Sequence, residues 1–386
     1  MNILYFGIYS KGIEYPRNNN LIHALRLQNV NVKEAHFEMA ETFGKRLAAV
    51  HRPDRAISFG FDLCISYFIL AWKFIRSPSV DVIIVGHPGY FHVHLARMLN
   101  LLFRRKALLI YDSFIPLYEA LVEDRKLISP NCQMGRWLHF FEKSCCGQAD
   151  LILIDTLEHA NYLIKNFKLP KEKVIRIFVG STINKQHFPS NFNKSNQFNV
   201  LFVGTYIPLH GIDVILSAAS ILRHEKGIKF VLVGKGQLRG QMERQSRELK
   251  LENVSFKNWI PLSQLGSFIQ RFDLSLGIFG TTPKTEKVIP SKIYDICTSG
   301  VPFVTCDSPA IREVFSHREN CFLIPPGNPD ALAKAILEIK QDASLRKSIA
   351  QGAKHKDIEV FSLSQLGKDL LKAVHHRKKD LQKKTL

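Results

Sequence analysis

Apolar residues in this chain fall into short, nearly continuous runs separated by longer stretches with helical spacing. Ile3 to Phe6, Val30 to Phe37, Val80 to Val85, Ala107 to Tyr111, Leu151 to Ile154 and Val174 to Phe178 read as buried strands. Helix-length segments lie between most of them, beginning with Arg17 to Gln28. Strands that are apolar throughout and alternate with helices imply a parallel sheet covered on both faces.

A polar, Asn-rich stretch, Pro189 to Gln197, then interrupts the pattern and reads as a linker. The same grammar restarts with strands at Val200 to Val203, Lys229 to Val233, Val254 to Phe256, Leu274 to Ile278, Val301 to Thr305 and Phe322 to Ile324. Helices are expected from Ile212 to His224, Leu238 to Leu249, Pro290 to Thr298 and Pro329 to Lys340. The fold class is therefore α/β, with two Rossmann-like doubly wound domains, residues 1–188 and 199–361, joined by a linker at 189–198. Residues 362–386 read as a terminal helix that becomes strongly basic at Arg377-Lys378-Lys379 and Lys383-Lys384, with a solvated or disordered tip. Ligands of open parallel sheets bind beyond the carboxyl ends of the strands, so the site is expected in a cleft between the two domains.

Length agrees with two domains, since 386 residues exceed one ordinary core. Seven cysteines without a C-x-x-C spacing argue against a disulfide framework and a zinc site, and point to a reducing compartment. The adjacent pair Cys145-Cys146 is expected as buried thiols, and Trp137 as a packing residue. No signal peptide is expected in the first residues. The most apolar window, Ile57 to Ile75, contains Gly60, Asp62 and Lys73, and reads as a buried amphipathic helix rather than a span, with shallow membrane contact as the alternative. A net charge of +19 calls for an anionic partner: nucleic acid, an acidic membrane face or a phosphorylated substrate.

The chemistry concentrates in Pro290-Ser291-Lys292-Ile293-Tyr294-Asp295. Pro290 suits a helix start, Ser291 and Lys292 offer free backbone N–H groups to a phosphate, and Lys292 adds a cation. Asp295, on the same face, suits ribose hydroxyls. The structural alternative is an ordinary surface pair at i, i+3. In the loop Gly204-Thr205-Tyr206-Ile207-Pro208-Leu209-His210-Gly211 the glycines permit close approach of a ligand, and His210 suits a phosphate or sugar oxygen; equally, the glycines serve turns. Gly234-Lys235-Gly236 leaves the same choice, and Trp259 packs unless a base stacks on it. In the first half the candidates are Gly12, Arg17 and Asn18 in a loop entering a helix, with His87 and Asp112 at strand ends where an acceptor hydroxyl would be bound or deprotonated.

Several ordered motifs together resemble the retaining glycosyltransferases of family 4, which have the GT-B fold. They are Val203-Gly204, His210-Gly211-Ile212-Asp213, Leu232 to Leu238, Pro290 to Asp295, Ser299-Gly300-Val301-Pro302 and Ile311-Arg312-Glu313-Val314. The loop Tyr15-Pro16-Arg17-Asn18 and the step Asp124-Arg125 are similar to those of a bacterial subgroup. Three positions depart from the family pattern. Lys287 stands where the first of two paired acids is expected, with Glu286 one place early; Thr205 and His210 replace an Arg and a Lys that grip the diphosphate; Tyr111-Asp112 lies where a histidine is expected.

The resemblance implies an acceptor-binding first domain and a nucleotide-sugar-binding second domain, with transfer of a sugar from a UDP-, GDP- or ADP-sugar to a glycan or lipid-linked acceptor. Lys292, His210, Asp112 and His87 are then the expected catalytic residues; Gly204, Thr205, Tyr206, Gly234, Gly236, Trp259, Pro290, Ser291, Lys292 and Asp295 the donor side; and Gly12, Arg17 and Asn18 the acceptor or phosphate side. Neither cofactor nor metal is expected, because cations and helix amides can stabilise the leaving diphosphate. The expected location is cytoplasmic, on the inner membrane face. Competing readings are an epimerase or hydrolase on the same fold, an idle nucleotide-sugar binder, and a nucleic-acid binder, for which the short cluster Arg104-Arg105-Lys106 is a poor footprint.

Overall fold

The computed structural model describes residues 1–9, 11, 16–38, 53–181, 183 and 197–385, with residues 53–56 and 384–385 described in backbone only. Gly12 and residues 189–196 of the expected linker lie outside the described residues. The chain divides into two compact units, one formed by Met1–Val179 with Leu363–Leu386 and the other by Gly180–Ser362.

The first unit contains β1 (Asn2–Gly7), α1 (Arg17–Arg26), β2 (Asn31–His36), α2 (Pro53–Arg76), β3 (Val82–Val85), α3 (Val93–Leu102), β4 (Leu108–Asp112), α4 (Gln133–Gln148), β5 (Leu151–Ile154), α5 (Leu157–Phe167) and β6 (Val174–Arg176). Its six strands are all parallel, in the order β2-β1-β3-β4-β5-β6. β3, β4 and β5 are buried at every position, as strands covered on both faces must be.

The second unit contains β7 (Phe198–Val203), α6 (Ile212–Ile221), β8 (Ile228–Val233), α7 (Arg239–Glu248), β9 (Val254–Lys257), α8 (Leu262–Ile269), β10 (Leu274–Leu276), α9 (Ser291–Ser299), β11 (Phe303–Cys306), α10 (Pro309–Arg312), β12 (Phe322–Ile324), α11 (Pro329–Gln341) and α12 (Ala343–Glu359). The sheet, again parallel, runs β9-β8-β7-β10-β11-β12. Chain connections leave β7 in one direction and return to β10 in the other. That reversal opens a crevice at the carboxyl ends of these two strands, the usual ligand position in such sheets.

Two expectations are corrected. The terminal helix α13 (Leu363–Thr385), expected as a segment set apart from both domains, is not separate but part of the first unit. Leu366, Leu370 and Val374 on one of its faces are buried, it packs along α1, and Arg377 donates to the Asp150 carbonyl at 2.9 Å. The helix stays regular through its basic end to Thr385. The apolar window in α2 is not a buried helix either: Ser66, Leu70 and Phe74 face the core, while Ile57, Phe61, Phe68, Trp72 and Ile75 are exposed. All seven cysteines are free, and Cys145 and Cys146 are buried.

Candidate functional site

The crevice between β7 and β10 gathers three of the expected residues. β7 ends at Val203 and hands over to Gly204, whose missing side chain leaves room for the Lys292 ammonium. A Cβ there would lie 2.7 Å from Nζ, 3.1 Å from Cε and 3.2 Å from Cε1 of His210. Lys292 Nζ donates to the Gly277 carbonyl just past β10 at 3.3 Å and sits 3.7 Å from the centre of the Phe202 ring. Only 8% of Lys292 is exposed, and burial holds its ammonium well below the usual lysine range. A cation so poorly solvated gains strongly from an anionic ligand.

Pro290 is the residue that introduces α9 rather than its first turn, with φ −66° and ψ 143°. Its extended conformation and locked ring start the helix at Ser291. The first amides of α9, Ser291 and Lys292 among them, lack intrahelical acceptors, as at any helix start. Ser291 is exposed there. One turn further, Asp295 is buried and accepts a hydrogen bond from Ser181 Oγ at 2.8 Å.

His210 is held by its backbone and ring together. Nδ1 donates to the Thr205 carbonyl, and Phe279 N–H donates to the His210 carbonyl at 3.2 Å. Burial and the neighbouring Lys292 push the imidazole well below its ordinary value, against the pull of the Thr205 carbonyl. The ring is therefore neutral, with Nε2 as an acceptor. It supplies no second cation beside Lys292.

The remaining donor-side expectations divide. Thr205 is exposed. Tyr206 is fully buried: its ring lies 5.0 Å from the Arg239 guanidinium and its oxygen accepts from Arg239 at 3.3 Å, so its side chain faces away from the crevice. Gly234 and Gly236 have φ of +137° and +153°, and a side chain on either would collide with the backbone of Gly204 or Tyr206. These glycines pack two loops against each other, which is the structural alternative left open above. Trp259 is 39% exposed beside Gly234, so one side of its indole is open. Lys287 and Glu286 lie in the turn before α9, Lys287 half-buried and Glu286 exposed.

In the first unit the expected residues meet in a buried polar knot at the ends of β1, β3 and β4. Arg17 Nε donates to both carboxylate oxygens of Asp112, at 2.8 and 2.9 Å, and Nη1 donates to the Ile177 carbonyl at 2.7 Å. Both side chains are fully buried. Burial pushes the Asp112 carboxyl up while Arg17 draws it back. Asn18 accepts from the Tyr5 hydroxyl at 2.9 Å and donates to the His87 carbonyl at 2.6 Å, and the His87 ring meets Tyr90 and Phe114 edge-on. With no exposed side-chain surface, Arg17 cannot clamp a phosphate and Asp112 cannot reach an acceptor proton in this conformation. Arg17 and Asp112 form a buried ion pair here. Tryptophan Trp137, expected to pack, is half-exposed and stacks on Phe141 at 5.0 Å.

Four contributors escaped the sequence reading: Phe202 and the Gly277 carbonyl under Lys292, Ser181 on Asp295, and Arg239 behind Tyr206. Gly277 carried the one usable signal, a glycine inside an apolar strand pattern.

Comparison with known proteins bears on the second unit and on the fold. Residues 183–356, just under half of the chain, match the family model described as glycosyl transferases group 1. A chitobiosyldiphosphodolichol beta-mannosyltransferase of Candida albicans is 24% identical over 55% of this chain, and the match spans 50% of that enzyme's length. An uncharacterized glycosyltransferase of Methanocaldococcus jannaschii is 25% identical over 75% of both chains. Among solved structures, Anabaena Alr3699/HepE in complex with UDP-glucose superposes with a TM-score of 0.70 at 18% identity, covering 97% of this chain and 100% of that one. Identity that low establishes shared architecture only. Residues 183–356 are thus similar to glycosyl transferases group 1, and the chain has the two-unit α/β fold of the GT-B glycosyltransferases.

Proposed function

We propose that this chain transfers a sugar from a nucleoside-diphosphate donor to a glycan or lipid-linked acceptor, with retention of anomeric configuration and without a metal. The observation that carries the reading is Lys292, a desolvated cation at the β7–β10 crevice beside the open start of α9. Breaking the anomeric bond builds negative charge on the leaving diphosphate, and a preorganised ammonium with helix amides stabilises that charge more in the transition state than in the ground state. Gly204 gives the phosphate close access to the ammonium. Asp295, fixed by Ser181, is placed to receive ribose hydroxyls, and the exposed side of Trp259 offers a surface for the base.

Support from relatives points the same way. The HepE structure was solved with UDP-glucose, and the Candida relative is named for mannosyl transfer to chitobiosyldiphosphodolichol. UDP-sugars are therefore the first donors to test, ahead of GDP- and ADP-sugars. Retention rests on the family 4 resemblance, and leaves the departing phosphate to take the acceptor proton, so no protein base is required.

Asp295→Asn separates the parts of the donor site. It weakens UDP binding through the ribose and leaves inorganic pyrophosphate binding unchanged. Equal losses for both ligands in titration calorimetry would remove the ribose role. Proton magnetic resonance of the first-formed product reads retention directly, and an inverted anomer would overturn that part of the proposal.

A further inference from the structure

The exposed side of α2 is the least explained surface of the first unit. Ile57, Phe61, Cys64, Phe68, Trp72 and Ile75 are all exposed and recur at spacings of three and four, so they form one stripe along the helix. The segment Ile57–Arg76 is long and apolar enough to cross a bilayer by composition, yet its opposite face is committed to the protein. Leu70 and Phe74 are buried, Ser66 hydrogen-bonds the His92 ring at 2.8 Å, and Lys73 donates to the His36 carbonyl at 2.6 Å. A helix pinned this way cannot be surrounded by lipid. It can only lie on a surface.

Charge identifies that surface. Arg105 closes the carboxyl end of α2, donating to the Ile75 carbonyl at 3.2 Å and to Ser77 Oγ at 2.7 Å, and its guanidinium lies 4.3 Å from the centre of the Phe74 ring. This anchors the segment 101–106 beside the stripe, bringing exposed Leu101, Leu102 and Phe103 together with the cations of Arg104 and Lys106. Arg76 adds a third cation, its guanidinium 4.2 Å from the centre of the Trp72 ring. From Ile57 onward, α2, α3 and α4 hold two acidic residues; Glu142 is buried and Asp62 is half-buried. Aromatic and aliphatic side chains with a cationic border, on a helix that cannot insert further, match the interfacial region of an anionic bilayer.

We propose that α2 and the adjoining 101–106 segment form a membrane-docking face that lies in the headgroup region of anionic lipid, with Phe68 and Trp72 inserted and Arg76, Arg104 and Lys106 on phosphates. The inference stands apart from the donor site and does not depend on which sugar is transferred.

The test is flotation of the purified full-length protein with vesicles of phosphatidylcholine alone or with 30% phosphatidylglycerol (a chosen composition, about one anionic lipid in three). The protein floats with the anionic vesicles at least tenfold more than with the neutral ones. Phe68→Ser with Trp72→Ser lowers that binding at least tenfold, as does Arg104→Glu with Lys106→Glu, and each pair keeps the far-ultraviolet circular dichroism and melting profile of the unaltered chain, because the altered side chains are exposed. Trp72 as the sole tryptophan, with Trp137→Phe and Trp259→Phe, shifts its emission to the blue on anionic vesicles. The proposal is overturned by equal flotation on both vesicles, by binding indifferent to the stripe, or by a stripe variant that only converts a dimer to a monomer in analytical ultracentrifugation.

Discussion

Replacing Lys292 with methionine keeps most of the buried stem and removes only the ammonium. Among the described residues that ammonium has one carbonyl acceptor, at 3.3 Å, and the face of the Phe202 ring, with 8% of the residue exposed. Its solvation is poorly replaced, which is why its pKa lies well below the usual lysine range. Loss of an undercompensated buried charge to a hydrophobic group of similar volume stabilises a protein by on the order of 1–3 kcal/mol. For the ligand the sign is opposite. A charge-assisted hydrogen bond to phosphate is worth about 1.5–3 kcal/mol, so Lys292→Met weakens UDP roughly 10- to 150-fold. Urea denaturation without ligand reads the first effect, and titration calorimetry with UDP reads the second. A variant that is less stable yet binds UDP normally would refute the reasoning, because Lys292 would then be a structural residue and not a phosphate partner.

Other expectations follow from the same geometry. Gly204→Ala places a Cβ 2.7 Å from Lys292 Nζ, so it displaces the ammonium and lowers UDP affinity about as far as Lys292→Met does, within roughly 1 kcal/mol; calorimetry of the double variant should show no further loss. Arg17→Met leaves the buried Asp112 carboxylate without its cation and costs about 3–5 kcal/mol in chemical denaturation, whereas Arg17→Met with Asp112→Leu recovers most of it. His159, between Asp155 at 2.8 Å and Glu119 at 2.9 Å, is raised to about 9 by these carboxylates against the opposing effect of burial. A histidine raised on folding contributes stability that is complete below its unfolded value of about 6.5 and lost as pH climbs through the folded one. Stability should therefore fall by about 3 kcal/mol between pH 6 and pH 10, a slope that His159→Gln removes.

The strands were the most legible part of the fold. Leu151–Ile154 and Phe322–Ile324 fall where the apolar runs place them, because a parallel strand buried on both faces must be apolar throughout. β10 stops at Leu276, short of the expected Ile278; past it the Gly277 N–H still donates to the Val304 carbonyl at 2.8 Å and the Ile278 carbonyl accepts from Cys306 N–H at 2.9 Å, while the Gly277 carbonyl accepts from Lys292. No periodicity announced the Arg17–Asp112 pair, whose members are 95 residues apart and meet only once the sheet has set β4 near β1. Composition likewise misread α2. Its apolar content suggested burial, but the core uses one stripe of the helix, and which stripe depends on neighbours the local sequence does not specify. At the donor crevice, Lys292 and Gly204 were identified from helix-start and loop chemistry, while the neutrality of His210 follows from a carbonyl five residues away and from burial.

The central claim is that the β7–β10 crevice binds a sugar nucleotide through Lys292. Thermal unfolding of the full chain and of Lys292→Met, each with UDP-, GDP- and ADP-sugars, tests it most directly. At a ligand concentration near 100 times Kd the intact protein gains about 2.7 kcal/mol, so at least one of the three raises its melting temperature, and the same ligand at the same concentration gives Lys292→Met a much smaller shift. No shift with any of the three, or equal shifts in both proteins, would contradict the account.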